Sequence, residues 1–432
     1  MRQSEQPRLR IAVVGTGISG LSAAWLLAER HDITVYEKAP RLGGHSHTIE
    51  IETDRGSIFV DTGFIVFNPV NYPNLVSLFQ HLDVPTKSSN MSFAVSLGEG
   101  AYEYGGGGLA SLFAQKRNLL RPRHWSMLRG ILQFYRRARR DLPALTRSGV
   151  TLGEYLRSGK FGSAFATDHL LPMAGAIWSA PPKALLDYPA AALIRFFDNH
   201  GLLQIRNRPE WRTVVGGSRV YVERLARRLR GRIRLQCGVV SIRRNGSSVA
   251  VTDRSGHTNV YDHVVIGAHA DQALALLADA SANERSLLGA FSYTRNTAVL
   301  HSDDRLMPRR KGVWSSWNYL AAAEDGGKSL SVTYWMNRLQ DIPGRTDFFV
   351  TLNPIREPAT RSVHCTSTYE HPVFDTAALR AQRSLPSLQG ERNTWFCGAY
   401  FGSGFHEDGL RSGLETAEAL GGVKRPWSTF RP

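Results

Sequence analysis

The chain has 432 residues, of which 42% are hydrophobic and 21% charged, proportions that are ordinary for a soluble globular protein and exclude a disordered one. Because this length exceeds the size at which a single hydrophobic core usually stops growing, we expect two domains. The excess of 53 Lys and Arg over 37 Asp and Glu gives a formal net charge of +16, which predicts attraction to an anionic ligand or surface.

Several classes of site and partner are disfavoured because the sequence lacks their motifs. There is no zinc finger, RNP-like motif or basic-aromatic stripe, so we expect no nucleic-acid partner. Cys237, Cys365 and Cys397 form no C-x-x-C pair, which disfavours a disulfide framework and suits a reducing compartment. His45 and His47 form an H-x-H pair, but no motif places a third ligand, so we expect no metal site.

The apolar segment 11–28 superficially resembles a signal peptide or a membrane anchor. Glycines interrupt it at fixed positions, however, and no other apolar run approaches the roughly 20 residues needed to span a bilayer. We therefore expect a cytoplasmic protein.

The N-terminal segment has the order strand, glycine-rich turn, helix, strand. Residues 8–14 (RLRIAVV) predict a buried parallel strand, and the turn 15–20 (GTGISG) leads into a helical segment at 21–30. A second strand is predicted at 33–36 and ends on Glu37. This order is typical of a dinucleotide-binding βαβ unit.

Each residue type in that unit has a physical task. Gly15 permits a tight turn, Gly17 lets backbone N–H groups approach a pyrophosphate, and Gly20 allows the helix to pack closely on the strand. Ile18 and Ser19 begin the helix, whose N-terminal N–H groups and dipole favour phosphate. A carboxylate about 20 residues after the turn can accept hydrogen bonds from ribose hydroxyls, and Glu37 occupies that place.

The residues after Glu37 resemble the flavin-containing amine oxidase and phytoene desaturase superfamily. The stretch 38–45 (KAPRLGGH) matches its acid-x-x-x-R-x-G-G signature through Arg41, Gly43 and Gly44, and 60–63 (VDTG) matches its next conserved turn. The resemblance implies non-covalently bound FAD rather than NAD, because simple NAD dehydrogenases do not need the arginine and paired glycines.

The resemblance extends through three more segments. The stretch 394–398 (TWFCG), followed by 407–413 (EDGLRSG), resembles the element that closes the FAD site, although Ala399 stands where the superfamily usually has an acid. Residues 216–218 (GGS), with a helix at 220–230, lead into a predicted strand at 233–242 that carries Val239 at the adenine-backing position; 263–266 matches the return strand, which ends at Gly267. The implied cofactor-binding residues are Gly15, Gly17, Ile18, Ser19, Gly20, Glu37, Lys38, Arg41, Gly43, Gly44, His45, Gly63, Phe64, Val239, Gly398, Asp408, Gly409 and Leu410.

At a finer level the chain resembles a bacterial branch of this superfamily, whose members are associated with cyclopropane-fatty-acid-synthase-like methyltransferases. This likeness covers nearly all of 10–427 and includes VDTGFIVFN (60–68), MSFAVS (91–96), RNLLRPRHW (117–125), FFDNHGLL (196–203), WSSWNYL (314–320), TYWMNRLQ (333–340) and GFHEDGLRSG (404–413). It implies a lipid or other hydrophobic substrate, with dehydrogenation of a methylated fatty acyl chain, and a partner lipid methyltransferase.

We therefore predict an α/β protein with a Rossmann-like FAD-binding domain of the amine-oxidase and glutathione-reductase type and an inserted α+β substrate domain. The FAD-binding domain is predicted to be discontinuous, formed by 8–90, 214–296 and 389–425. The substrate domain is predicted at 91–213, which is largely helical in pattern, and at 297–388, which alternates strand-like stretches and turns.

The segment 117–140 (RNLLRPRHWSMLRGILQFYRRARR) predicts a basic amphipathic helix. Trp125, Leu128, Leu132 and Tyr135 are expected on one side and Arg129, Arg136, Arg137 and Arg140 towards the other. Two interpretations stay open. The helix either contacts an anionic membrane surface, which would make the protein peripheral on the inner face of the membrane, or packs on its own protein with a solvated arginine face.

Two groups of residues are candidates for the chemistry. Aromatic residues lie where the superfamily has its substrate wall, and we expect a substrate cavity lined by Trp314, Trp317, Tyr334, Trp335 and Phe401. The catalytic candidates are His45, His406 and Tyr400, with Glu407 and His371 as further acid–base groups; for each, a structural role is the competing interpretation.

The preferred functional hypothesis is an FAD-dependent dehydrogenase that abstracts hydride from a C–H bond of a lipid, giving a desaturated product. The alternatives are a flavin amine oxidase or an isoprenoid or carotenoid-type desaturase and, from another class, a non-catalytic lipid-binding escort protein.

Overall fold

The computed structural model describes residues 7–54, 56–178, 182–204, 208–322 and 330–428. The strands are β1 (Arg10–Val14), β2 (Asp32–Tyr36), β3 (Thr48–Thr53), β4 (Gly56–Asp61), β5 (Thr86–Ser89), β6 (Phe93–Leu97), β7 (Tyr102–Gly105), β8 (Trp211–Val214), β9 (Ile233–Arg234), β10 (Val239–Asn245), β11 (Ser248–Asp253), β12 (Thr258–Tyr261), β13 (His263–Ile266), β14 (Ser292–His301), β15 (Trp317–Ala321), β16 (Leu330–Trp335), β17 (Phe349–Leu352), β18 (Val363–Val373) and β19 (Thr394–Phe396).

The helices are α1 (Ile18–Leu27), α2 (Pro73–His81), α3 (Leu109–Leu112), α4 (Pro122–Ser148), α5 (Leu152–Ser158), α6 (Ser163–Phe165), α7 (Leu171–Trp178), α8 (Pro182–Leu186), α9 (Ala190–Asn199), α10 (Arg219–Arg227), α11 (Ala270–Leu276), α12 (Ala282–Leu288), α13 (Met336–Leu339), α14 (Thr376–Ser384) and α15 (His406–Gly421).

A parallel five-stranded sheet in the order β19-β13-β1-β2-β9 organises the first domain. Its central strand β1 is apolar because both faces are covered. Ile11 and Val13 point into the core under α1, α10 and α15, whereas Ala12 and Val14 pack towards α11 and the antiparallel ribbon β10-β11-β12. The predicted α/β fold is confirmed, with helices on one face and a smaller sheet on the other.

One predicted strand of this domain is divided in two. The expected strand 233–242 breaks into β9 and β10, with Gln236 between them at a φ of 53°. A left-handed residue cannot continue a strand, and the break lets β9 join the parallel sheet while β10 joins the ribbon. The strand–turn–helix order predicted at the N-terminus and the strands at 263–266 and 394–396 are confirmed.

A mixed seven-stranded sheet in the order β18-β14-β17-β16-β15-β6-β7 forms the second domain, with β15 and β6 parallel. Helices α4 to α9 build a separate core beside it, with Phe134, Phe165 and Phe197 fully buried. The expectation that the first insertion is mainly helical and the second rich in strands is confirmed.

Two expected domain boundaries fall at different places in the structure. β14 begins at Ser292 and pairs with β18 along its whole length, so the substrate sheet starts before the predicted boundary at 296. Ala378 and Ala381 of α14 pack into the core of the first domain, although 297–388 was expected in the second. Small apolar residues on one side of α14 explain this, since they need a covering surface.

Across the residues that the structure describes, every helix is too short or too polar to cross a bilayer.

Candidate functional site

The glycines of the glycine-rich turn 15–20 differ in how closely other atoms approach them. A Cβ atom added to Gly20 would lie 2.1 Å from the carbonyl oxygen of Gly15, and one added to Gly15 would lie 2.6 Å from that of Gly267. A Cβ atom on Gly17 would meet nothing within 4 Å. Gly15 and Gly20 are therefore required by close packing, whereas Gly17 keeps space open above the turn.

Two helix N-termini converge beside that space. Gly17 is the N-cap of α1 and offers no capping side chain, so the first N–H groups of the helix are available. Gly409 and Gly413 let α15 cross α1 closely, because added Cβ atoms would lie 2.9 Å from the Ser19 hydroxyl and 2.2 Å from the Ser19 carbonyl oxygen. The contact brings together two positive helix ends, an arrangement that favours an anion.

Glu37 is held at the end of β2 by backbone groups. Its carboxylate accepts hydrogen bonds from the N–H of Thr16 at 2.9 Å, from the Thr16 hydroxyl and from the N–H of Ala39 at 2.8 Å. An ionised carboxylate has about four acceptor positions, so one remains for a ligand hydroxyl. Thr16 contributes to this arrangement, although the sequence patterns did not single it out.

The paired glycines after Arg41 lie directly against the turn. Gly43 has a φ of +100° and donates its N–H to the carbonyl of Thr16, and a Cβ atom on Gly44 would lie 3.1 Å from the Cα of Gly17. Burial lowers the pKa of the Arg41 guanidinium from its ordinary value. The structure thus assembles both parts of the predicted signature around one space.

The other predicted cofactor residues fall into three places. Lys38 and Val239 lie where β2 ends beside β10, and the Lys38 ammonium reaches Gln272 at 3.3 Å. Gly63 and Phe64 turn against His45, whose carbonyl accepts the Phe64 N–H. Gly398 follows the end of β19, and Asp408, Gly409 and Leu410 lie in the first turns of α15.

His406 is tied into a local network. Its ring stacks on Phe64 with centroids 3.9 Å apart, and its Nε2 lies 2.7 Å from the hydroxyl of Tyr221, which also bonds to Ser46. Burial lowers the pKa of His406 to about 3, so the imidazole is neutral at physiological pH. These contacts fix the position of the His406 ring.

His406 should make folding sensitive to acid. Between pH 6.5 and about 3 the unfolded chain binds a proton at this residue that the folded chain does not, so stability falls as pH falls. His406→Gln should reduce the slope of the unfolding free energy against pH by about 1.4 kcal/mol per unit between pH 6 and 4. Urea unfolding at several pH values measures this, with exposed His257→Gln as the control. An unchanged slope would contradict the assigned burial.

The two acids beside His406 face protein groups. Glu407 is buried and accepts hydrogen bonds from the N–H and side-chain amide of Asn74 and from the N–H of Leu75, so it caps α2; burial raises its pKa to about 7. Asp408 accepts from the N–H groups of Ser403 and Phe405. Both carboxylates therefore organise the start of α15. Asp408, which was predicted to bind the cofactor, holds the loop that precedes this helix.

Asp61 joins both domains at the site, a role that the sequence patterns did not indicate. Its buried carboxylate accepts from the N–H and hydroxyl of Ser218, from the hydroxyl of Thr48 at 2.6 Å and from the amide of Gln340 at 3.0 Å. Burial nevertheless raises its pKa to about 6. Asp61 lies in the D-x-G turn, but its partners are distant in sequence.

A cluster of imidazoles surrounds His45 where the two domains meet. The His45 ring lies 5.1 Å from that of Tyr369, 5.6 Å from His371 and 6.2 Å from His269, measured between centroids. Burial lowers the pKa of His45 well below 6.5, and that of His371 to about 4. Within the described part of the chain the His45 ring makes no hydrogen bond, so a neutral imidazole is left with a lone pair available.

His371 is oriented by the substrate domain. Its Nδ1 lies 3.0 Å from the amide nitrogen of Asn296 on β14, and Asn296 in turn accepts a hydrogen bond from Asn353 at 2.8 Å. Glu370, the residue before it, lies 3.5 Å from His269. Asn296 and Asn353 were not predicted as site residues, because an isolated asparagine carries no motif.

The predicted aromatic wall is divided by the structure, which corrects that expectation. Trp317 and Tyr334 face each other across β15 and β16 with centroids 4.9 Å apart and belong to the same apolar cluster as Tyr369. Trp314 and Trp335 form a separate cluster with Phe349. Side chains alternate between the faces of a strand, so Tyr334 and Trp335 cannot share one wall.

Tyr400 and Phe401 belong to a different apolar cluster from Trp317 and Tyr334. They pack in the first-domain core beside Phe291, and their ring centroids are 4.9 Å apart. Burial raises the pKa of the Tyr400 phenol well above 10, and its oxygen is buried without a hydrogen-bond partner among the described residues. Phe401 and Trp317 therefore pack in different clusters.

The geometry fits the flavin dinucleotide that the motifs imply. The open space at Gly17, the two converging helix ends and the ribose-side carboxylate of Glu37 suit a dinucleotide pyrophosphate and its adenosine. His45, Phe64 and Gly63 extend the site to the substrate domain, as a longer cofactor requires.

Comparison with known proteins decides the family. The family model for flavin-containing amine oxidoreductases matches residues 18–348. The chain belongs to this family. It is therefore an FAD-dependent oxidoreductase, and the alternative of a non-catalytic escort is not supported.

Individual relatives of this oxidoreductase are distant. It is 33% identical over 99 residues to 15-cis-phytoene desaturase of Synechococcus elongatus, which is 22% of this chain and 20% of that protein. Its curated relatives are matched over 14% to 54% of their own length, so less than two thirds of each is spanned.

Solved structures confirm the fold over nearly all of the chain. Cyclohexylamine oxidase from Brevibacterium oxydans superimposes with a TM-score of 0.66 at 16% identity, covering 96% of this chain and 99% of that one. A CLA-producing fatty acid isomerase from P. acnes gives 0.66 at 15% identity, covering 96% and 98%. At these identities the likeness shows the shared fold.

Proposed function

We propose that this flavoenzyme is a dehydrogenase that removes hydride from a methylated fatty acyl chain of a lipid and leaves a new double bond. The observation that carries the proposal is the group of neutral aromatic and imidazole rings that surrounds His45 on the side of the substrate domain. Tyr369 and His371 approach it from β18, and burial keeps both neutral at physiological pH. Trp317 and Tyr334 continue the same apolar cluster. Neutral, largely apolar surroundings of this kind suit an alkyl chain.

The fold supports a substrate of this kind. The structural neighbour from P. acnes is a fatty acid isomerase, and its chain is covered almost completely by this one. The chemistry proposed here needs an acyl chain that already carries its methyl group. A lipid methylation reaction must therefore supply the substrate, and we propose a lipid methyltransferase as the functional partner.

The residues at the site divide the work between binding and proton transfer. FAD, when bound, supplies the acceptor for the hydride. Gly17, the N-terminus of α1 and Glu37 would hold its pyrophosphate and ribose, and the N-terminus of α15 would face the flavin end. His45, neutral and without a hydrogen-bond partner within the described residues, would take the proton lost from the neighbouring carbon.

His45→Ala should lower turnover of the acyl substrate by 100-fold or more, because a positioned general base contributes a factor of about 10² to 10⁴. The variant should retain bound FAD, visible in its absorbance spectrum, since the His45 side chain makes no hydrogen bond to the glycine-rich turn among the described contacts. His257→Ala, at an exposed imidazole, is the matched control. Unchanged turnover in the His45 variant would remove the residue from the reaction.

A deletion strain tests the substrate. Mass spectrometry of its membrane lipids should show methylated acyl chains accumulating and their dehydrogenated product disappearing, and the wild-type gene should restore the product. An acyl profile that is the same with and without the gene would count against the lipid substrate.

Amine oxidation is the second candidate, and one observation favours it. The carboxylate of Glu370 lies 3.5 Å from His269 at the edge of the imidazole cluster and could accept an ammonium group. Glu370→Gln separates the two functions. It should leave acyl dehydrogenation nearly unchanged, whereas it should raise the KM for an amine.

A further inference from the structure

A surface at the start of α4 exposes large apolar side chains. Five of the 11 exposed large hydrophobic residues in the described chain fall within 109–132. Their exposed fractions are 77% for Leu109, 51% for Leu119, 88% for Leu120, 51% for Trp125 and 43% for Leu132. We call these five residues the apolar tip.

The residues of the apolar tip are held close together. The Trp125 indole donates to the carbonyl of Leu119 at 2.9 Å, and its ring lies 5.7 Å from that of Phe113. Phe113 in turn donates its N–H to the carbonyl of Leu109. Leu132 follows Trp125 by two helical turns, so it lies on the same face of α4. These contacts and the helix geometry connect Leu109, Leu119, Trp125 and Leu132, and Leu120 adjoins Leu119 in the sequence.

This surface is distinct from the face of α4 that packs on the protein. The buried side chains of that face include His124, Met127, Phe134 and Ala138. The sequence-based expectation that Trp125 and Leu132 lie opposite the arginines is corrected, because Arg129 and Arg136 share their exposed face. The helix thus has a covered apolar face and an exposed face that mixes apolar and basic residues.

The chain segment that carries most of the apolar tip has ionisable side chains of one sign only. Residues 104–140 contain nine Lys and Arg and no Asp or Glu. Some of these arginines pair with acids from elsewhere, such as Arg123 with Asp168. Arg129 and Arg136 have no carboxylate partner within the described residues.

A cavity of about 680 Å³ opens beside the tip. Arg117, Arg309 and Arg310 line it with the single acid Glu99, which pairs with Arg309. Arg117 precedes Leu119 and donates to the carbonyl of Ala101. A polar opening with basic walls next to exposed leucines has the layout of a headgroup region next to acyl chains.

We propose that this face docks the enzyme on an anionic phospholipid bilayer, with the apolar tip entering the acyl boundary and Arg129 and Arg136 contacting headgroup phosphates. Leu120 and Leu109 are too exposed to belong to a protein core, and the positive field excludes a basic partner. Basic residues near an anionic membrane each strengthen binding, and exposed leucine and tryptophan add the apolar share. The proposal goes beyond the proposed reaction and does not depend on turnover.

Flotation of the FAD-loaded protein with vesicles tests the proposal. It should float with vesicles that contain phosphatidylglycerol, float much less with pure phosphatidylcholine, and be released by salt. Arg129→Ala with Arg136→Ala should weaken binding by roughly 30-fold, since each residue near the surface contributes about a factor of five. Leu119→Ser with Leu120→Ser should abolish flotation.

Matched controls separate this face from general charge and hydrophobicity. Arg227→Ala with Arg230→Ala removes two exposed arginines of the first domain, and Val260→Ser with Ile355→Ser removes two exposed apolar side chains elsewhere. Both control proteins should float like the wild type. Equal flotation of wild type and the Leu119 and Leu120 variant would overturn the proposal. A second outcome would also overturn it: the wild type does not float with vesicles but forms a dimer, and the Leu119 and Leu120 variant disrupts that dimer. The apolar tip would then contact a second copy of the chain.

Discussion

Gly17→Val should weaken FAD binding by at least 100-fold while the apoprotein unfolds as the wild type does. A Cβ atom on Gly17 would meet no protein atom within 4 Å, and the φ of −62° at this residue is one that valine adopts freely. The added methyl groups would instead occupy the space where a pyrophosphate must approach the N–H groups of α1. Titration of apoprotein with FAD measures the affinity, and a 100-fold loss corresponds to about 2.7 kcal/mol.

Gly20→Ala is the matched variant, with the opposite expectation. Its Cβ atom would lie 2.1 Å from the backbone oxygen of Gly15, so the helix and the turn must move apart. We expect the apoprotein to lose about 2–3 kcal/mol of unfolding free energy, as overpacked sites do. Tight FAD binding by the Gly17 variant would show that the cofactor does not lie over this turn.

Asp61→Ala should destabilise the protein by about 3–5 kcal/mol, the largest effect we expect on stability. The substitution leaves the N–H and hydroxyl of Ser218, the hydroxyl of Thr48 and the amide of Gln340 without their shared acceptor in a buried place. Urea unfolding of the apoprotein measures the change, because bound FAD would add its own binding free energy.

Two further variants give the control for Asp61. Asp61→Asn keeps one carbonyl acceptor and should cost less than half as much. Glu50→Ala removes an exposed carboxylate from the same β3–β4 hairpin and should change the unfolding free energy by under about 0.5 kcal/mol. Equal stability of the Asp61→Ala protein and the wild type would show that the two domains are not joined through this carboxylate.

The sequence could predict those parts of the site whose chemistry is local. Gly15, Gly17, Gly20 and Glu37 lie within one βαβ unit, and their spacing follows from the strand–turn–helix geometry. The parallel sheet followed from that unit, since a buried parallel strand has a continuous apolar sequence.

The residues that join distant segments could not be predicted in this way. Ser218 binds Asp61 across 157 positions, and Glu407 caps α2 across 333. No spacing rule links such residues, because the fold and not the local chain brings them together. The sequence makes Glu407 a candidate acid–base group because its sequence neighbours are at the site. In the structure its carboxylate faces α2, a contact that no local pattern predicts.

Helical periodicity fixed the spacing of residues on α4 but not which face is covered. Trp125 and Leu132 were expected on one side of the helix, which either a membrane or the protein itself could cover. The core instead takes Met127 and Phe134, each two positions further along the chain and so about 200° round the helix. Apolar residues occur on both faces of α4, so the sequence pattern does not decide which face packs against the protein. Packing against α6 and α9 decides between them.

The most direct test of the proposed acyl-chain dehydrogenation is the anaerobic absorbance spectrum of the FAD-loaded enzyme mixed with candidate substrates. Vesicles of phospholipid with methyl-branched acyl chains should bleach the oxidised flavin band within minutes, and straight-chain saturated lipid should bleach it far more slowly. Bleaching by a simple amine such as putrescine, with none from the branched lipid, would contradict the acyl-chain assignment and favour an amine substrate.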